Sequence, residues 1–113
     1  MEGNEVKFKR LQELIDEAAR EGKPYDGYVK EQISLLEDSH DKFLELAKNE
    51  GYSLDNPRVG DIEVAQYAAM RRLAASIGLP TEYYSEKIKE VRIRVFGLAN
   101  YKNYFEKQAG TPE

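Results

Sequence analysis

Apolar residues in this chain recur at steps of three and four. Over residues 28–49, YVKEQISLLEDSHDKFLELAKN, the positions Val29, Ile33, Leu36, Phe43 and Ala47 line one side of an α-helix. His40 fills the remaining slot of that series. Leu35, Leu44 and Leu46 widen the stripe to roughly half the circumference, more than a helix touching one neighbour can use. The pattern therefore predicts a central helix over 27–49, with Leu36 and Phe43 inside the core.

Three further helices follow from the same spacing. The first runs over about 5–21, with Asn4 as its cap, Gly22 as its stop and Leu11, Leu14, Ile15 and Ala18 as its stripe. Lys23-Pro24 ends it, and Asp26 is placed to cap the central helix. The longest break is YSLDNPRVG, where Asn56-Pro57 and Gly60 interrupt regular structure. Asp61 then caps a third helix over 62–77, with Ile62, Ala65, Ala69, Leu73 and Ile77 read as inward. Gly78-Leu79-Pro80 is a stop signal, and Thr81 caps a fourth helix over 82–108 that carries Tyr84, Ile88, Val91, Val95, Leu98 and Phe105. No segment alternates with the period of a strand. Short connections between amphipathic helices predict an all-α, single-domain antiparallel four-helix bundle, up-down-up-down, over 1–108, with 109–113 as a flexible tail.

Composition narrows the chemistry. The 113 residues are 41% hydrophobic and 34% charged, with no run apolar enough to span a bilayer and no signal-peptide centre near the start. A soluble, cytoplasmic protein is expected. Without cysteine, thiolate nucleophiles, disulfides and Cys-type zinc sites are excluded. The formal charge of −4 leaves no overall footprint for nucleic acid.

Glu37 and His40 stand one helical turn apart, a spacing that can offer a carboxylate and an imidazole to one metal ion. The run from Glu37 to Gly51, EDSHDKFLELAKNEG, resembles the second helix of ferritin-like proteins, where a Glu-x-x-His pair precedes a leucine and alanine pattern and a glycine stop. The segment RVGDIEVAQYAAMRRLAASIG, through Glu63-Val64-Ala65-x-Tyr67 and Leu73-Ala74-x-x-x-Gly78, is similar to a helix of the YciF-like group of that superfamily. The resemblance implies a four-helix bundle and a dinuclear metal site. The chain departs from that pattern: Glu86 is followed by Lys89 and Glu90 by Ile93, so no second Glu-x-x-His exists, and Glu13 and Glu17 project away from the first stripe. A single metal ion at Glu37 and His40 is the reduced form of that expectation, with Glu63 as a third ligand only if it turns inward. The residues alone read His40 as a core histidine, with no cofactor.

The segment from Leu73 to Thr81, LAASIGLPT, has the alanine and turn glycine of a helix-turn-helix, but Glu82, Glu86 and Glu90 would then face phosphate, so DNA binding stands only as an alternative. Ile93, Phe96, Asn100 and Tyr104 step along the side of helix four away from its core seam. Such a second stripe is the mark of contact with another chain. The expected protein is a non-enzymatic bundle acting through protein contact, as a homodimer or with another protein partner.

Overall fold

A computed structural model describes residues 3–106, and these are predominantly helical, with no strand among them. The helices are α1 (Asn4–Arg20), α2 (Asp26–Asn49), α3 (Pro57–Ser76), α4 (Glu82–Phe96) and the short α5 (Leu98–Tyr101), which runs into a π-helical turn at Lys102–Glu106. The tail expected over 109–113 lies outside the described residues. None of the described helices is long and apolar enough to cross a membrane.

α1, α2 and α3 stop in the same way. At each end a glycine takes a positive φ, and the following amide reaches back to the last turn: Lys23 to Ala18, Tyr52 to Ala47 and Leu79 to Ala74. The starts differ from expectation. Gly3, not Asn4, precedes α1, which frees the Asn4 amide to donate to Asp38 (2.8 Å) and Ser39 (3.1 Å) on α2. Asn4 and, next, Lys42 hold the Asp38 carboxyl below the usual range. Asp26 is the first residue of α2 rather than its cap.

The start of α3 is the larger correction. Asn56-Pro57 and Gly60 do not interrupt the chain; the Asn56 side chain accepts from the Arg58 amide at 2.8 Å, and Pro57 occupies the first turn, where its missing N–H costs nothing. Gly60 is buried inside the helix because α4 lies so close that a Cβ there would meet Val95 Cγ2 at 2.6 Å. The extra turn changes the inward face. Val59, Gly60, Glu63, Met70 and Ala74 are buried, whereas Ile62 is 44% exposed and Ala65 faces solvent.

α4 is not continuous to 108. Gly97 adopts φ 87, ψ 153, a conformation open to glycine and almost nothing else, and the helix breaks there. The chain then folds back, setting Phe105 against Phe96 at 5.6 Å and under the Arg92 guanidinium at 4.6 Å.

Packing is serial. α1 lies on α2, α2 on α3 and α3 on α4, and among the described residues the backbone of α1 approaches neither α3 nor α4. Paired residues run in opposite order along neighbouring helices, as in Asn4 with Ser39 and Gln12 with Gln32, or Gly60 with Val95 and Arg71 with Ser85. The outline is broad and thin, 49 × 43 × 16 Å, and the radius of gyration of 16.6 Å exceeds the ~13 Å typical of this length. One cluster, Ile15, Val29, Ile33 and Ala74, holds the first three helices together, with Tyr84 of α4 packed against it. Leu36 and Phe43 are only half-buried, Leu36 opening into a cleft beside Phe8 of α1 and Phe43 into one at the α2–α3 hairpin tip.

Candidate functional site

The second half of α2 turns His40 toward α3, and α3 turns Glu63, Gln66 and Tyr67 toward α2 and α4. His40 is 5% exposed and Glu63 3% exposed, so an imidazole and a carboxylate share the interior. Burying the charge is tolerable only with a partner. Arg94 of α4 supplies it: its guanidinium donates to Glu63 Oε1, and its Nε donates to the Leu54 carbonyl of the α2–α3 loop at 3.1 Å.

His40 is fixed on its other sides. Nδ1 donates to Gln66 Oε1 at 2.6 Å, and the ring lies 4.6 Å from that of Tyr67, tilted by 52°. Nε2 faces Glu63 Oε2 at 3.9 Å, beyond hydrogen-bond length. Burial, then the neighbouring Tyr83 and Glu63, push the Tyr67 hydroxyl up to about 12. The cluster thus ties α2, α3, α4 and one loop through charge, ring contact and amide.

This arrangement rearranges the metal pair expected from sequence. Glu37 is exposed, and its charge acts on Tyr84 of α4, whose hydroxyl is raised first by burial and then by that carboxylate. His40 points the other way, toward Glu63. Among the described residues no group of three or more His, Asp or Glu side chains is gathered as ligands. Glu63, expected to face outward, is the carboxylate that reaches the histidine. The spacing of Glu63 from Met70 and Ala74 carried that information, but it became readable only with a helix beginning at Pro57.

The expected contact stripe is also redistributed. Ile93 is half-buried, Phe96 packs on Phe105, and the Asn100 amide donates to the Phe96 carbonyl at 2.9 Å, sealing the end of α4. Tyr104 is 61% exposed on the π-helical turn. The break at Gly97 prevents the four from forming one helical face.

A different apolar surface lies at the α2–α3 hairpin tip. There a cleft of about 280 Å³ is lined by Phe43, Leu46, Ala47, Tyr52, Val59 and Ile62, with Glu50 and Arg58 at its margins. Leu46 is 58% exposed and Tyr52 57% exposed. Comparison of the chain with protein-family models, with curated proteins and with solved structures returns no match.

Proposed function

We propose that the chain is a non-enzymatic helical protein, its four long helices in up-down-up-down order, that works through protein contact and associates with itself. The observation that carries this reading is the division between interior and surface. His40, Glu63 and Arg94 are engaged with one another and with Gln66 and Leu54, so the groups best suited to acid–base chemistry serve as internal ties. The surface, by contrast, leaves large apolar side chains in water: Leu46, Tyr52, Leu54 and Ile62 around one hairpin tip. Such patches mark contact sites on proteins of this size.

The open packing supports the same reading. The chain exposes 8002 Å², against about 6,300 Å² for a compact monomer of its 13.0 kDa mass. Sedimentation equilibrium over a wide concentration range tests it. A mass rising above 13.0 kDa is expected; a monomer at every concentration overturns the reading.

A further inference from the structure

Four of the residues at the hairpin tip belong to a pattern that the chain itself leaves unfinished. Phe43 lies on the stripe of α2 that sequence assigns to the core, yet it is half-buried and opens into the tip cleft with Leu46 from α2, Tyr52 from the loop and Ile62 from α3. A stripe this wide calls for a further helical surface. α1 does not supply it, because its N-terminal Asn4 reaches only Asp38 and Ser39, leaving the last turns of α2 clear.

The charges at the margin say what fits. Glu50, just past the end of α2, and Arg58 of α3 line the same cleft, both are exposed, and neither has an ion-pair partner among the described residues. One acid and one base on the two sides of an apolar cleft make a self-complementary surface. Under a two-fold operator residue i meets j while j meets i, so each Glu50 can face the other copy's Arg58. From these observations we infer that the α2–α3 tip is a docking surface for a second copy of this chain, forming a two-fold dimer around Phe43, Leu46, Tyr52 and Ile62, with reciprocal Glu50–Arg58 ion pairs. This rests on the protein-contact reading and names its surface and partner.

Sedimentation equilibrium of the full chain tests it, comparing wild type with Leu46→Asp/Ile62→Asp, with Glu50→Arg, with Arg58→Glu and with the double reversal. Leu46 and Ile62 are exposed in the single chain, so helicity by circular dichroism should survive their substitution. The apolar double variant is expected to be monomeric. Each single reversal, applied twice by symmetry, should weaken association by roughly tenfold at low salt, and the double reversal should recover it. A Leu46→Asp/Ile62→Asp variant that associates as tightly as wild type overturns this surface while leaving self-association standing. A wild type monomeric throughout overturns both. A double reversal no tighter than either single one overturns the reciprocal pairing, whatever the folding of the apolar variant.

Discussion

Removing the Arg94 guanidinium strands a carboxylate whose side chain is 4% exposed. Losing one partner of a buried pair typically costs about 3 kcal/mol or more, because the remaining charge is left uncompensated. Arg94→Ala should therefore lower the urea-unfolding free energy by about 3 kcal/mol, while Arg94→Ala combined with Glu63→Met should recover much of it. An unchanged midpoint in the single variant would show that water reaches Glu63. Tyr67 makes a second prediction at this scale. Its folded value, about 12, lies above its unfolded value of 10.0. The unfolded chain thus releases the proton first as pH rises. The contribution is complete below pH 10 and declines between about 10 and 12. Alkaline unfolding curves followed by circular dichroism should show a decline over that range that is smaller in Tyr67→Phe.

At the level of elements, Gly60 sets how closely α3 and α4 approach. A helix interior ordinarily gains about 1 kcal/mol when alanine replaces glycine. Here the new methyl meets the branched Val95 side chain at 2.6 Å, and valine has few rotamers with which to yield. Overpacking of this kind costs about 1–3 kcal/mol, so Gly60→Ala should be destabilising on balance by thermal denaturation, and Val95→Ala should relieve it. Sequence spacing showed that the chain is helical, and it found the ends of α1, α2 and α3 because their stripes and glycine stops are local signals. It misplaced the ends that depend on neighbours. Asn56-Pro57 reads as a break unless the helix that follows already includes Gly60, and Gly60 reads as a breaker unless Val95 is known to lie against it. Glu63 was hidden for the same reason: its counter-charge, Arg94, is 31 residues away and comes near only when α3 and α4 pack. Similarly, the Ile93 and Tyr104 register assumed a continuous rod, and nothing local to Gly97 distinguishes a tolerated helical glycine from one that turns the chain.

For the molecule as a whole, a thin assembly with half-buried Leu36 and Phe43 has little interior to spare. If a second copy covers the α2–α3 tip, mass action links association to stability. The apparent Tm should climb as wild-type concentration increases, while that of Leu46→Asp stays fixed; scanning calorimetry at several concentrations distinguishes the two. The neighbour-only packing has another consequence, for the order in which the chain opens and closes. Each interface joins segments adjacent along the polymer, so the search for native pairings spans short loops, and low contact order favours rapid folding. The same wiring makes the outer helices peripheral units: α1 lies along α2 and reaches the rest of the core only through Ile15, whereas opening α2 severs two interfaces together. Amide protection should consequently fall off from the middle hairpin toward both flanks.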